Sequence, residues 1–407
     1  QETTGRLDRR RRDERATRQP TVDWSRYSAL RKVSLPRLEA ALAKMLQDKQ
    51  AVSDEINYLA GLQRIDYVFV YPDEHDLVIA GPAEGFAAVG GARTAGLTTG
   101  QPALRLEDWL VAFRAAARGN LTMRCSIDPQ PENLAKFAAF VKEIQGGALP
   151  DEAAAQYRQL AEILGPQTVS LSGVPSDSQF AELLVEADIR MKHIAIGLNK
   201  PAVKGFRSHL AMVGAGGNSL QRWWFTPLYD ALIRSDDGLA FEFRGQRVQL
   251  LAEDELVSAS GQRSSAPFRR VTTQKFAVQF TEKFPELAKA IPVFAELQGA
   301  FDWAVLAALL QKERLSERVD WSSELFLNAD RVPLSRHNVP RQVPSVSNYR
   351  MLGKGVLVMQ VTGGVVVNAW DVVQNEHFAQ DSAGKVAASR RSASQSAGAQ
   401  ETRWWWD

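Results

Sequence analysis

The chain has 407 residues, 45% of them apolar, a formal net charge of +2 and a single cysteine. That length predicts roughly two to three domains with a real hydrophobic core. The near-neutral balance excludes a general field for nucleic acid; one cysteine excludes an intramolecular disulfide and leaves any thiolate metal cage dependent on other ligand types.

The sequence opens on Gln1, which predicts a processed form such as one that has lost a secretory signal. Residues 1–23 are polar and arginine-rich, with RRRRDERATR from Arg9 to Arg18. They read as a flexible basic arm, either solvated or lying on an acidic partner or a neighbouring subunit. Asp8, Asp13 and Glu14 dilute the charge and argue against a nucleic-acid arm. A mixed α/β domain is expected over 24–212. Ser34-Leu35-Pro36 opens its first helix, since proline is tolerated in a first turn. IDYVFVYP and DLVIAGP then form a hairpin about Asp73-Glu74-His75-Asp76. That polar turn lacks the alternating ligands and glycine of a calcium loop and reads as solvated. After a loop-rich stretch from Gly81 to Gly100, a helix is expected at Leu106–Ala117 and a strand at LTMRCSI, with Cys125 a buried, inert thiol. Helices at Pro131–Ile144 and Asp151–Leu164 and a strand at QTVSLSGVP follow.

The next helix is the best specified. Ser176 with Gln179 has the spacing of a capping box. Phe180, Leu183, Leu184, Ala187, Met191 and Ile194 make one apolar face. Glu186–Arg190 and Asp188–Lys192 are spaced i,i+4 in the favourable order. A second α+β domain is expected over 213–380. It holds a meander (Ala231–Arg234, Ala240–Arg244, Val248–Glu253), a helical block over Thr272–Ser316 broken at Pro292, and a hairpin in GVLVMQVTGGVVVNAW turning at Thr362-Gly363-Gly364. Residues 381–407 read as a Ser/Ala-rich linker ending in an anchor, Trp404, Trp405 and Trp406. Three adjacent indoles leave water by folding back on their own domain, by docking into a neighbouring subunit, or at a membrane or cell-wall interface. No run of about 18 apolar residues occurs, so no membrane span is expected, while peripheral envelope association stays open. The fold class expected overall is α+β, with mixed α/β possible.

DYVFVYPDEHDLVIAGPAEGF, LRLEDWLVAF, CSIDP, GVPSDSQFAELLVEADIRMKHIAIGL and RWWF occur in this order. Together they resemble an uncharacterised family of predicted secreted planctomycete proteins, domain of unknown function 1598. The resemblance spans about residues 65–225. It implies a secreted or envelope-associated protein, and neither a reaction nor a catalytic residue.

The five histidines, His75, His193, His209, His337 and His377, form no H-x-x-x-H or H-E-x-x-H pair, so no metal site is expected. No G-x-S-x-G occurs. Ser172 or Ser176 could meet His193 or His209, but Ser176 is explained as a cap. Gly214-Ala215-Gly216-Gly217 matches no phosphate-binding loop, and no cofactor is expected. The candidate ligand or partner site joins Asp188, Arg190, Lys192 and His193 to Arg222, Trp223 and Trp224, where charge, imidazole and indole meet near a glycine-rich break. The reading is a secreted or envelope-associated structural or assembly protein, without recognisable catalytic residues, forming a homo-oligomer or meeting a protein partner through its two tails. The alternatives are a hydrolase of an envelope or polysaccharide substrate and an aromatic-lined ligand-binding module.

Overall fold

The structure is a computed structural model that describes residues 24–90, 93–143, 150–213, 220–258, 260–267, 269–345, 347–352, 355–397 and 403–407. The basic arm and the Gly214–Gly217 break lie outside the described residues.

The strands, in chain order, are β1 (Ser28–Ser34), β2 (Tyr67–Tyr71), β3 (Asp76–Ala83), β4 (Phe86–Gly90), β5 (Arg93–Gly96), β6 (Thr122–Asp128), β7 (Gln167–Ser172) and β8 (Leu220–Leu228). They continue as β9 (Leu232–Arg234), β10 (Ala240–Glu242), β11 (Arg247–Val257), β12 (Arg263–Ser265), β13 (Gln342–Val343), β14 (Ser347–Leu352), β15 (Gly355–Asn368), β16 (Phe378–Gln380) and β17 (Trp405–Trp406). One sheet runs β16-β9-β10-β2-β3-β1-β17; a second runs β12-β11-β8-β15-β6-β7-β13, with β14 beside β15; β4 and β5 pair alone. With helices between and against these sheets, the architecture is α+β.

Both large sheets draw strands from either side of residue 212. β9 and β10 join β2 in the first sheet, and β8, β11 and β15 join β6 in the second. The expected boundary between 212 and 213 therefore marks no break in the fold. The expected meander is divided for the same reason: β9 and β10 pair with each other, whereas β11 pairs with β8 in the other sheet.

The β2–β3 hairpin forms as its β-branched and aromatic residues require, with Phe69 opposite Val78. Its turn is exposed at Asp73, Glu74 and His75, in line with the solvated reading, and departs from it at Asp76. Asp76 is buried, accepts from Ser34 Oγ at 2.6 Å and pairs with Arg37 at 3.2 Å. The Leu35–Gln47 helix is capped by Ser34 as expected.

The Gly363-Gly364 pair is no turn, because β15 is continuous through it and lies between β6 and β8. A Cβ at Gly363 would stand 2.4 Å from Trp223 O and 2.7 Å from Asp188 Oδ1; one at Gly364 would stand 2.2 Å from Cys125 O. Glycine serves here because neighbouring chains approach too closely for any side chain.

Between the sheets runs the Pro292–Lys312 helix, buried on nearly all sides from Val293 to Leu310. It is 21 residues long and apolar enough to cross a membrane by length and composition, yet 94% of its most apolar window is buried within this fold. An all-round apolar helix is what a central position demands. Trp223, Phe225, Leu250, Val361, Val365, Cys125 and Ile127 bring the inner face of the second sheet into the same core, with Phe276 and Phe280 of the Val271–Glu282 helix.

The described residues of the tail, 381–397 and 403–407, are a built part of the fold, in place of the expected linker. Lys385–Ala397 is a helix that covers the outer face of the first sheet, with Phe69, Tyr71, Val78, Val386, Ala393 and Trp406 in one small core. β17 then pairs with β1, setting Val33 opposite Trp405.

Candidate functional site

The seven residues expected to form one site are distributed over both faces of the second sheet. Gln179–Ala195 is a helix whose N-cap is Ser178, which accepts from Ala181 N at 3.2 Å; the capping box proposed at Ser176 does not form. The chain makes one more turn before the helix begins, with Ser178 N bonded to Pro175 O. Asp188 and Lys192 both point into the core and lie 2.9 Å apart. Lys192 Nζ also donates to Ile127 O at 2.9 Å. Burial raises the Asp188 pKa above the usual carboxylate value, and Lys192 offsets part of that rise. Arg190 lies on the outer side of the helix, 4.0 Å from Glu186. His193 is half-buried, and burial, then Arg190 and Lys192, lower its pKa.

On β8, alternation separates the rest. Trp223 is fully buried, donates to Thr273 O at 3.3 Å and meets His209 and Phe276 edge-on. Arg222 and Trp224 face the other way, stacked on each other at 5.5 Å, with Arg222 also 3.9 Å from Glu255. The structure thus joins Asp188 to Lys192 and Arg222 to Trp224, and does not gather the seven around a cavity described below.

Trp404, Trp405 and Trp406 are buried in the chain's own fold. The Trp405 indole lies between two guanidinium groups, Arg31 at 4.4 Å and Arg403 at 3.7 Å. Asp407 holds Arg31 through two hydrogen bonds of 2.8 and 3.0 Å. Burial alone would raise the Asp407 pKa; the bond and charge of Arg31 outweigh it and hold the group below its ordinary range.

A different region joins buried charge to a cavity. A space of about 110 Å³ lies between the loop after β5, the segment before β11 and the first half of the Pro292–Lys312 helix. Gln63, Gln101, Gln298, Arg247 and Asp302 line it, with Pro82 and Pro102. Asp302 Oδ2 accepts from Ile65 N at 3.0 Å, and Oδ1 accepts from Tyr229 Oη at 2.7 Å and Arg247 Nε at 3.3 Å. Arg247 spends its other donors on Gly245 O, Ile65 O, Phe243 O and Asp66 Oδ1. Burial raises the Asp302 pKa, against the pull of Arg247 and the bonds from Ile65 and Tyr229. Arg247 adopts a left-handed φ of 73°, uncommon for a side-chain-bearing residue.

Glu84 fixes the loop wall. Its carboxylate accepts from Thr98 N at 2.7 Å, from Thr99 N at 2.9 Å and from Gln63 Nε2 at 2.8 Å. Burial would raise its pKa, but the hydrogen bonds from Thr99 and Thr98 prevail and hold it at about 2.

A second space, of about 10 Å³, shares Gln63, Pro102 and Ala295 with the first and adds Arg105, Asp108 and Glu296. Arg105 is 8% exposed, and its Nε donates to Asp108 Oδ2 at 2.8 Å. Arg105 Nη1 and Nη2 and Asp108 Oδ1 are buried with no hydrogen-bond partner among the described residues. Both Glu296 oxygens accept from Arg93, at 3.1 and 3.2 Å. Burial raises the Glu296 pKa despite Arg105 and Arg93. Among the described residues no group of three or more His, Cys, Asp or Glu side chains is placed to hold a metal ion.

Sequence reasoning missed this region, although Asp302 is visible as the one charge in FDWAVLAALL. A lone carboxylate in an all-apolar helix must be compensated by partners brought from elsewhere, and that was the available signal.

A family model for a protein of unknown function (DUF1598) matches residues 125–209, so this part of the chain carries a domain of unknown function. No curated protein and no solved structure matches the chain. The matched segment includes Asp188 and Lys192, whereas the residues named around both cavities lie outside it.

Proposed function

We propose that this chain is a non-catalytic binding protein that holds a small polar ligand in the cavity lined by Gln63, Gln101 and Gln298. The observation that carries the reading is the state of the cavity's charged floor. Asp302 already accepts three hydrogen bonds and Arg247 is spent on carbonyls and two carboxylates, so neither is poised as a nucleophile or a general base. A neutralised floor under a wall of amides suits recognition through hydrogen bonds, the arrangement of pockets in which a few polar groups fix orientation. The secreted or envelope setting enters this proposal through the sequence resemblance alone.

The test is hydrogen exchange of the full chain with glycerol, glucose, glycine or acetate added in turn. Protection of 97–105 and of the first turns of the Pro292–Lys312 helix is expected with at least one of them, and its loss in Gln298→Ala. Equal exchange in every solution sinks the reading.

Assembly is the second reading, and β17 favours it. This two-residue strand adds to the edge of β1 with its own ion pair and stacked indole, contacts that a second copy could supply by exchange. Light scattering across protein concentration decides it: a purely monomeric chain at all concentrations removes this reading.

A further inference from the structure

We infer that the small space beside Arg105 and Asp108 selects the ligand, and that it takes a hydroxyl of a neutral polyol or sugar in preference to a carboxylate, a phosphate or an ammonium group. The inference rests on the cavity being a ligand site. Its support is the pair of unused hydrogen-bonding surfaces at that end. Arg105 and Asp108 line the space, and the donors Nη1 and Nη2 of the one and the acceptor Oδ1 of the other are buried and without partners among the described residues. Leaving such atoms unpaired costs about 1–3 kcal/mol each, so the site is built for a group that fills both needs. A hydroxyl does so, accepting from Arg105 and donating to Asp108.

Size and charge exclude the other groups. A space of about 10 Å³ is near the minimum for one water-sized group, too small for the two oxygens and carbon of a carboxylate or the four oxygens and phosphorus of a phosphate. Arg105 is already neutralised by Asp108 at 2.8 Å, and Glu296 stands on the same wall. Arg93 is likewise held by Glu296, so an incoming anion meets two guanidinium groups that Asp108 and Glu296 already neutralise. An ammonium group has no acceptor to offer Arg105 and faces its charge. The remaining hydroxyls of a polyol would meet the amides of Gln63, Gln101 and Gln298 in the larger space.

The experiment is calorimetric titration of the full chain with two matched series: glycerol against glycerate, and glucose against glucuronate, glucose phosphate and glucosamine. The neutral member of each series is expected to bind at least tenfold more tightly than its charged partners. Asp108→Asn, which keeps size but offers a donor or an acceptor in the wrong sense, is expected to erase that preference. Equal or tighter binding of glycerate, glucuronate or the phosphate overturns the inference, as does an unchanged preference in Asp108→Asn. Should Asp108→Asn fail to fold, the comparison within each series on the unaltered chain still decides. The two readings separate through Gln298→Ala. Binding weakened by Gln298→Ala but favouring anions sinks only this inference; binding indifferent to Gln298→Ala, or no binding by either series, sinks both.

Discussion

Two buried charge clusters differ in where their polar atoms end. Asp188 and Lys192 are sealed beneath β15, with Gly363 packed so closely over the carboxylate that no side chain fits between them. Arg105 and Asp108 are buried to a similar degree and, like the Asp188 carboxylate, hold polar atoms without hydrogen-bond partners among the described residues, but they line a space. The first arrangement closes a core; the second leaves room for a partner. Burial and charge alone therefore do not mark a site. The distinguishing feature is hydrogen-bonding capacity left over beside a cavity.

The sealed pair is where substitution costs most. Lys192→Met leaves a fully buried carboxylate without its cation and is expected to lose about 3–5 kcal/mol in urea unfolding, whereas Asp188→Leu combined with Lys192→Met regains most of it. A single variant as stable as the parent would show that water reaches the pair and would end the contrast. Gly363→Ala attacks the same region by overpacking, since its Cβ meets Trp223 O, Asp188 Oδ1 and Met191 Cε. A loss of about 3 kcal/mol in the same measurement is expected.

The sealed region also carries a pH dependence. His209 is buried against Trp223 and Phe276, and burial, then Arg270, lowers its pKa to about 4. The unfolded imidazole titrates near 6.5, so the unfolded chain binds the extra proton between those values. The stability His209 confers is therefore present above about pH 6.5 and lost as pH falls towards 4. At about 1.4 kcal/mol per pH unit the loss reaches roughly 3 kcal/mol. Asp188, Asp302 and Glu296, whose pKa values are raised, act in the opposite sense, gaining stability as pH falls. Unfolding curves of the parent and of His209→Gln over that range isolate the histidine: the difference between them should shrink towards acid. A constant difference refutes the assignment.

The sequence disclosed these regions unequally. The helix holding Asp188 and Lys192 was legible, because its apolar period and i,i+4 charges are local signals. The depth of the pair was not, because the lid is β15, about 170 residues further along the chain and read there as a hairpin. Gly-Gly has the same spelling in a turn and beneath a crossing helix; only tertiary packing separates the two. The tail misled for a related reason. Ser and Ala suit a linker and a surface helix alike, and the small core beneath Lys385–Ala397 is completed by Phe69, Tyr71 and Val78 from the far end of the chain. The cavity was the least legible feature. Gln63, Arg105, Arg247 and Gln298 come from four separate segments, and no local pattern announces their meeting.

The smallest expected effect on stability is also the sharpest test of the comparison. Gln298 donates from Nε2 to Gln246 O at 2.9 Å and lies on the cavity wall. Gln298→Ala removes one partly buried hydrogen bond, a loss of about 1 kcal/mol. The Asp302–Arg247 floor stays intact, because none of its bonds passes through Gln298. The variant should therefore unfold close to the parent in urea while losing ligand protection at 97–105. Lys192→Met at a denaturant concentration where it is still folded should do the reverse, with stability greatly reduced and protection kept. That crossed result is what a sealed core and an unfilled site predict when each is perturbed alone; both variants losing stability and protection in proportion would make the cavity one more part of the core.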